Sequence, residues 1–302
     1  MIILPGQKFS APLIPSRSLR AGLFSFVAQT LVCALVLLFL CTAAVYPQAP
    51  LATQPAVDAA VNPVSPEMQA FLRARKSVEK FFEQSSNVVC TESVTQSLIG
   101  KNGKDYYRED SVFDYQLQAN TNSGSLKLVE TRETRKAAFR DSSRTLLITN
   151  GFTGMLLIIH PNYETSYTFE PAGQESIDGV TYVKINFKAV PGASSPAALQ
   201  LRGQNYPIPL SGTIWIEPQS GAVAKLVASM DSNLSDLGLQ AMRSEIHYSI
   251  VHFHDPEESY WMPVSATIDV ETPRQHWRNI HRFTAYKRFK ATIQVQDTEA
   301  KP

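Results

Sequence analysis

Acidic side chains are absent from the first 57 residues of this 302-residue chain, and cysteine is nearly absent from the rest. The acid-free stretch holds only Lys8, Arg17 and Arg20 as bases, so the remainder carries 25 bases against 27 acids. A domain that close to neutrality has no electrostatic footprint for nucleic acid. Cys33 and Cys41 lie in an uncharged apolar run, which leaves Cys90 alone in everything that follows. One thiol excludes an internal disulfide, and without a Cys-x-x-Cys pair a redox motif or a thiolate zinc site is excluded too. Cys90 is read as a small buried hydrophobe on a strand. Also missing are a Gly-x-Ser-x-Gly elbow, a His-Glu-x-x-His helix, an acidic calcium loop and any internal repeat. General disorder is excluded by composition, since 44% of the residues are hydrophobic and 10% aromatic.

The N-terminus divides by charge. Residues 1–20 form a basic leader. Residues 21–46 contain no charged side chain and are densest from Leu31 to Leu40. They read either as the h-region of a signal peptide with cleavage after Ala44, or as an uncleaved transmembrane anchor with its basic flank on the cytoplasmic side. Residues 47–64 are a Pro/Ala linker. The expectation is therefore an exported chain, periplasmic or otherwise extracytoplasmic and possibly held in the inner membrane through 21–46, with residues 65–297 as a single β-rich domain.

That domain opens with Ser65-Pro66-Glu67, an N-cap followed by proline at the first helical position and an acid in the first turn. Met68, Phe71, Leu72, Val78, Phe81 and Phe82 recur at three-and-four spacing, which predicts an amphipathic helix over 67–84. From residue 88 the period becomes two. Val183, Ile185, Phe187 and Ala189 alternate with polar neighbours, as do Val264, Ala266, Ile268 and Val270. Phe283, Ala285, Phe289, Ala291, Ile293 and Val295 are placed on one face of the last strand. Gly-, Asn- and Asp-containing turns punctuate these runs at hairpin intervals. The pattern predicts a mainly β (α+β) fold with one N-terminal helix, in which a curved antiparallel sheet or incomplete barrel of about ten strands wraps the helix. Residues 152–159 are expected to be a core strand. Short helical signals are read near 195–202 and 234–241.

An export segment, an amphipathic helix and a meander containing Leu210-Ser211-Gly212-Thr213-Ile214-Trp215-Ile216-Glu217 and Gly221-Ala222-Val223 together resemble the periplasmic lipoprotein-carrier and outer-membrane lipoprotein-sorting family. The resemblance implies an incomplete barrel holding acyl chains under helices. It spans 65–290 in element order and about 210–223 at residue level. The long linker and the 190–210 segment depart from it.

The expectation for function is binding of a lipid, acyl chain or other apolar ligand in the cell envelope, without catalysis or cofactor. Phe81, Phe82, Met155, Leu157, Ile159 and Trp215 are the candidate ligand-binding residues. A structural or protein-interaction module with an unknown protein partner is one alternative. Another is a hydrolase or metal-dependent enzyme using the His247–His281 region, with His252 and His254 as metal candidates because i, i+2 residues share a strand face. Glu92 is expected on a strand. It is solvent-facing or paired, or else inward with a raised pKa. Ser77-x-x-Lys80 is read as a surface coincidence, and Arg278, Arg282, Arg288 and Lys290 as a solvated basic stripe.

Overall fold

The computed structural model describes residues 2–3, 64–84, 87–120, 126–136, 148–149, 151–201, 204–254 and 257–288. The expectations for 4–63 (leader, apolar run and linker) and for 289–302 lie outside the described residues, Lys290 included. Among the described residues no helix is long and apolar enough to cross a membrane.

Helix α1 runs from Pro66 to Gln84. The Met68 backbone N–H donates to Ser65 Oγ at 3.2 Å, the cap expected from the sequence. Its apolar stripe (Ala70, Phe71, Ala74, Val78, Phe81 and Phe82) is buried. Each of the larger side chains contributes about 1.5–3 kcal/mol by leaving water.

Ten strands follow: β1 Val88–Ile99, β2 Asp105–Asn120, β3 Lys127–Lys136, β4 Tyr167–Ile177, β5 Val180–Ala189, β6 Leu210–Ile216, β7 Val223–Met230, β8 Ala241–His254, β9 Glu257–Glu271 and β10 His276–Arg288. They form one antiparallel sheet in the order β3-β2-β1-β10-β9-β8-β7-β6-β5-β4. The edges β3 and β4 do not pair with each other, so the curved sheet stays open. From β1, third from one edge, the chain meanders out to β3, crosses to the opposite edge at β4, and meanders back until β10 pairs with β1. Consecutive strands are sheet neighbours except across the β3–β4 crossover, and the β5–β6 connection carries a short strand pair of its own. Alternation along the strands explains the facing: Val183, Ile185 and Phe187 are buried while Asn186 and Lys188 are exposed.

Three sequence expectations are corrected. Residues 152–159 are not a strand; Gly154–Ile159 and Pro161–Ser166 are consecutive 3-10 turns within the crossover. Lying on the sheet's buried face rather than at an edge, this segment has no neighbouring strand to bond. Short-range bonds such as Leu156 N–H to the Thr153 carbonyl at 3.2 Å satisfy its backbone instead. The described residues of 195–202 form no helix: Ala198–Leu201 is a strand paired antiparallel with Gln204–Pro207, and Leu199 is buried. Finally, Ala285 does not share a face with Phe283. A β-bulge between Thr284 and Lys287, with Ala285 at φ 54°, turns Ala285 outward and leaves Tyr286 half-buried. Near 234–241 the helical signal is realised only as a 3-10 turn over Ser235–Leu237.

Candidate functional site

The hairpin singled out in the sequence docks on α1, and each of its marked residues has a physical role. Gly221 sits in the β6–β7 turn at φ +73°, where a Cβ would lie 2.6 Å from the Arg73 carbonyl carbon and 2.7 Å from the Ala74 nitrogen. Only glycine lets that turn touch the helix backbone. The Glu217 carboxylate accepts from the Gln219 and Ser220 N–H groups at 3.1 and 2.6 Å, holding the turn closed. The helix answers with Arg73, whose Nε and Nη2 donate to the Pro218 carbonyl at 2.9 and 2.6 Å, and with Ser77, whose hydroxyl donates to the Ser220 carbonyl at 3.1 Å.

Beside this contact lies a cleft of about 470 Å³. One wall is the C-terminal half of α1 (Ser77, Val78, Lys80, Phe81), and the other comprises the turn Ser220–Val223 and the start of β9, Glu258 to Trp261. Leu156 of the crossover also lines it. Phe81 meets Tyr260 edge-on with ring centroids 6.0 Å apart. At the rim, Glu258 accepts from Tyr260 Oη at 2.8 Å and from Arg288, whose guanidinium also stands 5.7 Å from the Tyr260 ring centroid.

Of the six residues expected to bind ligand, Phe81 lines the cleft. Phe82, Met155 and Ile159 are packed in the core, and Leu157 is half-buried against it. Trp215 is on the opposite face of the sheet from Ile214 and Ile216. Its Nε1–H donates to Glu175 at 3.2 Å, and Lys225 Nζ stands 4.8 Å from its ring centroid. Sequence reasoning missed Leu156, Tyr260 and Trp261. The only local signal was an aromatic pair just beyond the Asp255-Pro256 turn.

The second grouping is a buried polar network between the crossover and the sheet. His281 Nδ1 is 2.7 Å from Glu92 Oε1, and its Nε2 is 2.7 Å from Thr149 Oγ1. Arg132 adds a second partner for Glu92, with Nη2 to Oε1 at 2.7 Å and a further bond from Nε. Asn279 Nδ2 donates to Thr149 Oγ1 at 3.0 Å, and Gln96 Nε2 to Asn279 Oδ1 at 2.7 Å. One proton arrangement satisfies the chain: neutral His281 donates from Nδ1 to the Glu92 carboxylate and accepts the Thr149 hydroxyl at Nε2. Carboxylate, imidazole and hydroxyl thus stand in the order of a nucleophilic triad. However, Thr149 is only 3% exposed and His281 1%, and the cleft described above is lined by neither. As arranged, the hydroxyl is a latch for the crossover. The next residues are held the same way: Gly151 N–H donates to Glu130 Oε2 at 2.7 Å, and Tyr248 Oη to the Phe152 carbonyl at 2.9 Å.

Electrostatics follow from these partners. Burial by itself would raise the Glu92 carboxyl, but its bonds to His281 and Arg132 outweigh that and hold it below the usual carboxylate range, opposite in direction to the inward-carboxylate expectation. Burial pushes His281 down, against the pull of Glu92. Burial pushes Glu130 up from its ordinary 4.5, against the Gly151 N–H and Arg132. Cys90 is buried and pushed up to about 12, which makes it an inert thiol.

Glu130 yields a signed prediction. A carboxyl raised in the folded state adds stability that is fully present below pH 4.5 and is lost as pH rises through its folded value. Glu92 and His281, both lowered, act the other way: their stability is present above 4.5 and 6.5 respectively and is lost as pH falls. Glu130→Gln should therefore raise Tm at pH 8 and leave it nearly unchanged at pH 4. Thermal melts showing an equal loss at both values would refute the assignment.

The remaining histidines do not converge. His252 and His254 are exposed on β8, whereas His281 faces the interior of the sheet. His252 Nδ1 is 2.8 Å from Ser259 Oγ, His247 Nε2 is 3.1 Å from Glu245, and His276 Nε2 is 2.9 Å from Asp269. Among the described residues no group of three His, Cys, Asp or Glu is placed to hold a metal ion. Ser77 is committed to the Ser220 carbonyl rather than to Lys80. In the basic stripe, Arg278 pairs with Asp269 at 2.8 Å and Arg288 with Glu258, while Arg282 is exposed.

No family model matches the chain, and no curated protein matches it in sequence. Solved structures are similar in fold. A DUF1329 family protein from Desulfovibrio piger has a TM-score of 0.42 at 11% identity, over 76% of this chain and 96% of that one. A LolA superfamily protein from Nitrosomonas europaea has a TM-score of 0.37 at 10% identity, over 73% and 94%. A domain from Vibrio parahaemolyticus described as an outer membrane lipoprotein-sorting protein has a TM-score of 0.35 at 10% identity, over 77% and 97%.

Proposed function

We propose that this is an extracytoplasmic binding protein that takes up an acyl chain or similar apolar ligand in the cleft between α1, the β6–β7 turn and β9. The observation that carries the reading is the cleft itself: about 470 Å³, with Val78, Phe81, Leu156, Val223, Tyr260 and Trp261 supplying apolar walls. This lies within the range of about 300–1,000 Å³ usual for small-molecule sites, and the apolar residues are joined by polar Ser77, Lys80, Ser220, Glu258 and Ser259. The acid-free, basic-flanked apolar run at the N-terminus supports export.

The test is photo-crosslinking of the full-length protein with a diazirine-bearing alkyl probe, followed by peptide mapping. Labels are expected on residues 77–81, 156, 220–223 and 258–261. Ser259→Trp, at an exposed cleft position whose hydroxyl bonds His252, should reduce them about tenfold while the protein still melts cooperatively, a loss of about 1.4 kcal/mol in binding. Labelling without enrichment at the cleft, or unaffected by the tryptophan, would reject the reading. That outcome would favour a protein-interaction module, for which the packed crossover filling the sheet's inner face is the supporting observation.

A further inference from the structure

The cleft carries an unbalanced charge at its mouth. Lys80 lines it, is exposed, and makes no ion pair among the described residues. The acid that also lines it, Glu258, is already committed to Arg288 and to the Tyr260 hydroxyl. Glu79 and Glu83 neighbour Lys80 on the helix, but neither forms an ion pair with it among the described residues. Among the described residues the mouth therefore presents Lys80 as an ammonium without an ion-pair partner, beside the apolar side chains of Val78 and Phe81. A lysine on a long flexible stem can follow a head group while its methylenes rest on the apolar wall.

We propose that the cleft selects a single-chain amphiphile with a carboxylate head, a fatty acid, and that Lys80 is the residue that reads the head group. The proposal rests on the cleft being the acyl site. Charge complementarity sets the sign: a carboxylate gains a partner there, a neutral ester gains nothing, and an alkylammonium is repelled. The volume fits one chain better than two, being toward the lower end of the range for small-molecule sites.

The experiment uses the full-length protein and three photoreactive probes that share one alkyl chain and differ only in head: carboxylate, methyl ester and primary amine. The carboxylate is expected to label the cleft peptides about fivefold more than the ester, as one half-exposed ion pair provides. Added salt should shrink that preference. Lys80→Arg should keep it. Lys80→Glu should abolish it and make the amine the best probe, with Tm unchanged because the side chain is on the surface. Equal cleft labelling by acid and ester, or a preference that survives Lys80→Glu, would overturn the head-group inference while leaving the acyl site intact. Absence of cleft labelling by all three probes would overturn both.

Discussion

Glu92→Ala is expected to cost about 3–5 kcal/mol, the penalty for stranding one side of a buried ion pair. Glu92 is fully buried and is the shared acceptor for Arg132 and His281. Removing it leaves a nearly buried guanidinium without its carboxylate and an imidazole N–H without an acceptor. The loss would propagate to the crossover, because His281 shares the hold on Thr149 with Asn279, and the Phe152 ring lies 4.5 Å from the imidazole, centroid to centroid. Urea unfolding of the full-length protein checks the magnitude. A cost below about 1 kcal/mol would mean that apolar packing, not the polar network, holds the segment. Replacing the three charged or titratable members at once, with Glu92→Met, Arg132→Leu and His281→Phe, should recover part of the loss, since apolar residues of similar volume carry no desolvation penalty while Thr149 keeps its bond from Asn279.

Gly212→Ala is the second large effect expected. A Cβ there would stand 1.9 Å from the Val227 carbonyl oxygen on β7 and 2.9 Å from Phe187 Cζ on β5. The first clash is with backbone in the middle of a ten-stranded sheet, where a strand cannot retreat without breaking its ladders on both sides. The expected cost is about 3 kcal/mol or more, at the upper end of overpacking penalties. Gly179→Ala is the internal comparison. It also changes a glycine, at φ +82°, but a Cβ there meets nothing within 4 Å, so only backbone strain of about 1 kcal/mol is at stake. Similar unfolding midpoints for the two variants would show that β6 can shift and that the close approach is not a constraint.

The hairpin that carried the family resemblance shows how far residue patterns reach. Glycine at 212 and 221, with an acid at 217, could be read as a pattern; its physical basis could not. Gly212 is demanded by a neighbouring strand, and Gly221 by a helix some 150 residues earlier, whose backbone atoms at Arg73 and Ala74 it nearly touches. Glu92 shows the reverse limit. Strand alternation put it on a face with Cys90 and Gln96, but its ionisation depends on Arg132 and His281. These arrive from strands 40 and 189 positions away in sequence.

The apolar run 152–159 marks the same boundary. Its composition required burial and it is buried, yet a buried strand and a buried 3-10 strap look alike when every residue is apolar. What separates them is whether a partner edge is available, and that depends on where the crossover falls.

By itself the sequence determined the helix with its Ser65 cap, the antiparallel strands, their inward faces and the near neutrality of the domain. All of these follow from periodicity and from charge counted locally. Tertiary structure alone decided that β10 pairs with β1, that the inner face is latched by a polar network, and that Phe81 lines a cleft while Met155 and Ile159 pack in the core. The reason is physical: a face is set by neighbours two or four residues apart, whereas a cavity is whatever distant segments leave unfilled once they have packed.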